Sequence, residues 1–592
     1  MKKFIIISSV ILMTLLSFGT ACSKFEDMGK NPYALYDAPS ESFVHPIMFK
    51  TQYNLISVFR TTTALLMQYG VSTNSEVSSR VIDNYNIPEA TTDDIWSALY
   101  LQWGNATRMH QKAIEEGDQA MQAVALIIKS FLITHITDTY GDVPFYEAGQ
   151  LVLTDEQGVY STSYDTQKDI YREVICMLED ANEMLAANER LHFSAVCDKV
   201  YNGEFEKWRR FGNSLYARVL MRIGMKVIEE DGGVLELDEK WEAVAVAQKL
   251  GELYNSYQNG SGDYPQMRSR EDRPMVPFSA LNETEHTPFF TMTSGNWNTL
   301  AVSDVLVERM LDTDELVDSD GITYHRYKPS PYNVLSPGTG RVEDPRYDSW
   351  WRKANGLPVH LLNDARVRFL DSDEHKSQAG NSRVGRMVRG KNPSTGIEEP
   401  SAIWGKIYDL QNASAYPLMQ YSELAFIYAE AGARGWIGSL SGIGGYMSLL
   451  KQGIIESILE WNPYVTAEDP MVVEYLNYCV NGALYSGQTF NSDNALEAIL
   501  THKWLAQFFI GIESWCDYRR TGYPLLKTNG PAAANDQILP TRMRYPSDEL
   551  YRNPQAYPEA LDRWLGGTNN NKSDVWWAAT SESYQNRLKG RQ

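Results

Sequence analysis

Between residues 93 and 230 the apolar side chains recur at helical spacing, and no other feature restricts the possible folds so tightly. The cleanest run is Ala123, Leu126, Ile127, Ser130, Phe131, Thr134 and His135, which fall at i, i+3, i+4, i+7, i+8, i+11 and i+12. His135 lies on that stripe and is read as a hydrogen-bonded core residue. Before it, Asp93-Asp94 starts a helix carrying Trp96, Tyr100, Trp103 and Met109, with its acids near the positive helix end. After it, Asp165 or Thr166 can cap a helix whose inner side is Ile170, Val174, Ile175, Leu178, Ala181 and Leu185. A fourth carries Trp208, Phe211, Leu215, Val219 and Ile223, with Arg209, Arg210, Arg218 and Arg222 around it. Two antiparallel pairs of this length predict a mainly α fold, a TPR-like scaffold of helical pairs. Pro46 to Tyr69 and Ala243 to Leu253 read as further helices.

Helical patterning returns at Tyr416 and runs on through Leu424, Ile427, Tyr428 and Ala431. It returns again from Ala498 to Ile510, where Leu500, Trp504 and Phe508 recur every four residues. The block Glu513-Ser-Trp-Cys-Asp-Tyr-Arg-Arg-Thr-Gly-Tyr-Pro524 follows. Its acids, arginines and rings predict an internal clamp in which the charges of the block pair with one another. A ligand-binding arginine pair is the alternative. The tail to Trp576-Trp577 is turn-rich and expected to pack back on the body.

Residues 258–415 differ. Gly and Pro become frequent, and rings stand in predicted loops: Tyr264, Phe289, Phe290, Trp297, Tyr347, Trp350, Trp351 and Trp404, interrupted by one helix from Val302 to Leu311. This is the pattern of an irregular, loop-rich ligand-binding subdomain laid on a rigid scaffold. A ring face covers the apolar face of a pyranose while neighbouring amides or charges bond its hydroxyls. Trp297 between Asn296 and Asn298, Trp350 with Trp351, and Tyr85 between Asn84 and Asn86 supply that combination. They are the candidate ligand contacts, against packing under a loop. The division expected is 1–21 signal peptide, 22–44 tether, 45–257 helical region, 258–415 loop-rich subdomain, and 416–592 helical region with tail.

At the N-terminus, Lys2 and Lys3 precede an apolar run from Phe4 to Phe18. That run is short for a membrane span, which needs about 20 residues, so it reads as a cleaved signal. Small residues directly before Cys22 resemble a bacterial lipobox, which implies cleavage before Cys22 and acylation of its thiol. Phe25-Glu26-Asp27 just behind it resembles the surface-export signal of Bacteroidetes lipoproteins. The net charge of −21 argues against nucleic acid as a partner. Cys176, Cys197, Cys479 and Cys516 form no CxxC pair and give no metal or disulfide framework, and Cys176 is expected to be buried. Asp312, Asp314, Asp318 and Asp320 with Gly321 crowd together, but Leu316 breaks EF-hand spacing, so a solvated acidic turn is expected and no metal or cofactor.

Taken in order, further blocks resemble the SusD/RagB family of outer-membrane nutrient-binding lipoproteins. They are Phe25-Glu-Asp with Asn31-Pro32, Trp96 with Tyr100 and Asn105, Tyr140 to Ala148, Tyr164 to Ile170, and Trp208 to Arg222. Asp344-Pro-Arg346, Tyr421-Ser-Glu-Leu with Ala429-Glu-Ala431, Glu513–Pro524, and Arg542-Met-Arg-Tyr-Pro546 with Trp576-Trp577 complete the series. Gly212 stands where that family usually has a small aliphatic residue. The resemblance implies a non-enzymatic glycan-binding lipoprotein on the outer face of the outer membrane, partnering a SusC-like TonB-dependent transporter. Peptide binding is an alternative within the family. A surface glycosidase using two carboxylates is a remoter one, since nothing resembles GxSxG, HExxH or a P-loop.

Overall fold

Side-chain oxygens cap two of the central helices. Asp118 accepts the Met121 N–H and Thr166 the Asp169 N–H, each satisfying an orphan donor at a helix head. The computed structural model describes residues 38–72, 82–149, 162–260, 262–279, 285, 300–311, 313–327, 343–346, 356–372, 390–391, 398–399, 414–461, 465–481 and 490–589. Helix α1 spans Val44–Val58. The four periodic segments are α2 (Glu89–Glu115), α3 (Gln119–Tyr140), α4 (Gln167–Ala186) and α5 (Phe205–Asp231). The α2–α3 link is short, so the chain folds straight back. Helix α6 follows at Val246–Asn259.

Helix α3 is the axis of this half. On length and composition it could cross a membrane, but 89% of its most apolar window is buried inside the fold. Two of its polar side chains turn back on the helix itself: Thr134 Oγ1 donates to Ser130 O, and His135 Nδ1 lies 2.7 Å from Phe131 O. Helices α2 and α4 pack on it and α5 crosses it more lightly. Gly212 lets α5 approach, because a Cβ there would stand 2.9 Å from Ile127 Cδ1.

The second helical region contains α7 (Tyr421–Ala433), α8 (Ile443–Trp461), α9 (Ala495–Ala506) and α10 (Glu513–Thr521). Helix α7 is buried along nearly its whole length and packs against α8, α9 and α5. The body is therefore mainly α, built of packed helical pairs. Among the described residues the sheet content is five two-stranded antiparallel ladders. Two of them stitch the middle region to the helices: Gly70–Ser72 with Leu300–Val302, and Met275–Phe278 with Ser414–Pro417. The helix expected from Val302 is shorter. Residues 300–302 form a strand, and Ser303 caps a helix over Asp304–Met310 by accepting the Leu306 N–H.

The tail packs back as expected. Trp577 is fully buried and its Nε1 donates to Asp138 Oδ1 at 2.7 Å. Arg542 donates to Tyr140 O at 3.0 Å and Asn570 O at 2.8 Å. The acidic turn is a hairpin tip between Thr313–Val317 and Thr323–Tyr327. There Asp318 Oδ1 accepts the N–H groups of Asp320 and Ile322, while Asp320 pairs with Arg368 at 2.8 Å. Asp312 lies outside the described residues.

Candidate functional site

The block Glu513–Pro524 is buried and internal, but it is not the self-contained clamp expected from its composition. Only Asp517 and Arg520 pair within it, at 2.9 Å. Glu513 reaches across to Arg222 and Arg218 on α5. Arg520 grips both oxygens of Glu430 on α7, at 2.5 and 2.7 Å. Arg519 stacks on Trp515, 3.6 Å from the ring centroid, and donates to the carbonyls of Asp138 and Thr541. Burial lowers its pKa to about 9, against the opposing pull of Asp138. Burial would raise the pKa of the Glu430 carboxyl, but Arg520 and Arg434 outweigh it and hold the group at about 2. His135 lies 3.7 Å from Glu513, and burial keeps its ring below the usual histidine range. Through these pairs and the Arg519 bonds to backbone carbonyls, the charges bolt α3, α5, α7 and α10 together.

Of the predicted ring contacts, Asn296, Trp297, Asn298, Trp350 and Trp351 lie outside the described residues, as does Cys22. Tyr85 is described, and its placement corrects the expectation of a displayed ring. It is 1% exposed. A left-handed backbone, φ 69°, turns the ring inward. Its hydroxyl lies 3.0 Å from His360 Nε2 and accepts from Gln68 Nε2 at 3.3 Å. Gln68 and His360 also have positive φ, 56° and 57°. Three such residues meeting at one hydroxyl mark a strained, interlocked junction. It joins the first helices, the middle region and the Lys527 loop, since Gln68 and His360 both contact Lys527 O. Burial lowers the pKa of His360 to about 4, so its ring is neutral at pH 7. Of the two amides beside Tyr85, Asn86 is exposed and Asn84 half-buried. Tyr264, another predicted loop ring, is partly buried and tied to Glu179 and Lys249 through its hydroxyl.

A cleft that periodicity did not single out opens at the C-terminal end of α6. It has a volume of about 640 Å³. Tyr254, Tyr257, Gln258, Asn259 and Gly260 from α6 and its cap, Tyr421 from α7, and Ser448, Leu449 and Gln452 from α8 line it, with Arg268, Ser439, Leu440 and Gly445. Helix α6 ends here because Gly260 takes the left-handed cap, φ 63°. Tyr254 and Tyr257 each pack on Tyr428, with centroids 5.1 Å away. Gln452 Nε2 donates to Tyr257 Oη at 2.9 Å and Tyr421 Oη at 3.3 Å. The signal in the sequence is the step from ring to amide, Tyr254 and Tyr257 followed by Gln258-Asn259. Among the described residues, no group of three or more His, Cys, Asp or Glu side chains is placed to hold a metal.

The SusD-like family model, described as starch-binding and associating with the outer membrane, matches residues 32–314 and 340–546. Solved structures share the fold. A chitin-binding SusD homologue from Flavobacterium johnsoniae is 19% identical with a TM-score of 0.63, covering 91% of this chain and 98% of that one. A SusD homologue from Bacteroides fragilis is 20% identical with a TM-score of 0.62, covering 91% and 100%. One from Parabacteroides distasonis is 19% identical with a TM-score of 0.63, covering 90% and 98%. At such identities the likeness establishes the fold. A search of curated proteins gives no match.

Proposed function

We propose, for a chain that belongs to the SusD-like family of starch-binding proteins associating with the outer membrane, the role of a surface glycan receptor. It is anchored by lipid at Cys22, faces the cell exterior, captures oligosaccharides without cleaving them, and passes them to a SusC-like TonB-dependent transporter. The family match, which extends over both helical regions, carries this reading. The chitin-binding neighbour agrees with it. Trp297, flanked by Asn296 and Asn298, and the pair Trp350–Trp351 are the proposed ring platforms. Tyr85, 1% exposed and held in its own junction, is not proposed as a stacking surface.

The role needs no catalytic residue. The chain's Arg–carboxylate centre spends its charge on packing, which leaves the rings and amides to recognise a neutral polyol. Isothermal titration of oligosaccharides from a glycan array, with a peptide library run beside it, tests the reading. Trp297→Ala and Trp350→Ala should each weaken glycan binding at least tenfold with unchanged thermal unfolding. Unchanged affinity in both variants rejects the site. Peptide binding without glycan binding, or release of reducing sugar from mixed polysaccharides, rejects the function.

A further inference from the structure

We propose that the cleft between α6, α7 and α8 is a second saccharide-binding site, separate from the loop-borne rings and taking a short segment of neutral glycan. The inference rests on the glycan-receptor reading for its class of ligand and on the cleft's own chemistry for its place. The volume of about 640 Å³ falls within the roughly 300–1,000 Å³ of small-ligand sites.

The lining has both halves of a sugar's requirements. Tyr254, Tyr257 and Tyr421 give it aromatic surface, and Leu440 and Leu449 add apolar contact. Gln258, Asn259 and Gln452 offer paired donors and acceptors, and Ser439 and Ser448 add hydroxyls near the rim. Among the described residues no Asp, Glu or Lys lines the cleft, although the chain as a whole carries a net charge of −21. The one charged lining group among the described residues is Arg268, a half-exposed side chain with Asp272 at 3.7 Å, a carboxylate it shares with Arg210. A neutral ligand fits such a wall better than an ionised one.

The platform is also fixed in advance. Tyr254 and Tyr257 are held from behind by Tyr428, whose hydroxyl donates to Gln266 Oε1 at 2.7 Å. Gln452 is held by its Nε2 bridge to the two tyrosine hydroxyls, which leaves Oε1 outside that bridge. A preformed site loses little side-chain entropy on binding. None of the cleft residues belongs to the Tyr85 junction or to the predicted loop rings, so the two sites can be lost independently.

The test uses the whole chain and three named probes: maltohexaose, chitohexaose and xylohexaose. Ser448→Trp fills the rim, and Gln452→Leu removes the amide while keeping its stem. Thermal unfolding checks that both variants are folded. Calorimetry should find, for at least one probe, a binding event that each cleft variant weakens at least tenfold and that Trp297→Ala with Trp350→Ala leaves in place. If binding is abolished by the tryptophan variants and untouched by both cleft variants, the cleft proposal is overturned while the receptor reading stands. If no probe binds the native chain at all, while peptides do, the receptor reading falls and takes the cleft's ligand class with it.

Discussion

Replacing Glu430 by Gln removes the charge that holds α7 to α10. Both Glu430 oxygens accept from Arg520, and Oε1 also accepts from Arg434 Nε at 2.7 Å. Glu430 and Arg520 are both 0% exposed. In Glu430→Gln the shape survives, but an amide NH2 faces a guanidinium and Arg520 retains only Asp517. Breaking a buried pair from one side costs about 3–5 kcal/mol. Titration gives a second route to the figure. Burial acts to raise the Glu430 pKa, yet the arginines bring it from 4.5 to about 2. That depression is worth about 3 kcal/mol. The folded value lies below the unfolded one, so this contribution is complete above about pH 4.5 and lost as pH falls towards 2. By pH 3 about 2 kcal/mol of it has gone. Urea midpoints of wild type and Glu430→Gln, converted with a common slope, should differ by about 3 kcal/mol at pH 7 and by roughly 1 kcal/mol at pH 3. A gap of the same size at both pH values would show that the carboxylate's charge is not what matters, and no gap at pH 7 would refute the pairing argument outright. The double change Glu430→Met with Arg520→Met should recover much of the loss, since Arg434 keeps Glu582 and Asp517 keeps Lys503.

Further expectations follow from single positions. At Gly203, φ is 81° and a Cβ would stand 2.2 Å from the Phe193 carbonyl oxygen, so Gly203→Ala should cost about 2 kcal/mol and lower the melting temperature. Gly212→Ala meets only the movable end of Ile127 and should stay within about 1 kcal/mol of wild type in the same melting experiment. Burial raises the Cys176 thiol to about 12, and Cys479 and Cys516 are buried too, whereas Cys197 is only half-buried. Iodoacetamide at pH 8 followed by peptide mapping should therefore label Cys197 first and the other three only in denaturant. Cys22→Ala should abolish palmitate labelling and move the protein out of the membrane pellet; continued labelling would dispose of the lipobox reading.

What could be read from the sequence, and what could not, divides along physical lines. Helices α2 to α5 were legible because a 3.6-residue apolar period is a local signal, and at α4 Thr166 caps as its position suggests. Partner choice in the ionic block was not. Its acids and arginines offer local pairings, but Glu513 meets Arg222 on a helix almost three hundred residues earlier, because packing α10 against α5 decides which charges share a dry interior. Tyr85 misled for a related reason. Amides on both sides made the stretch look displayed, yet the sign of φ at one residue points the ring into the fold. Tyr254 and Tyr257 lie just past the helix read from Ala243 to Leu253, on the last turns of α6. Their i, i+3 spacing identifies a face of α6 but not how deeply that face is covered. Coverage depends on where α8 comes to lie: it packs on α7, and its Gln452 reaches the Tyr257 hydroxyl near the end of α6. A ring-to-amide step at a helix C-terminus is a useful sign for this reason: the left-handed cap turns the chain away, so the last turn's rings keep one edge open unless a distant element closes it.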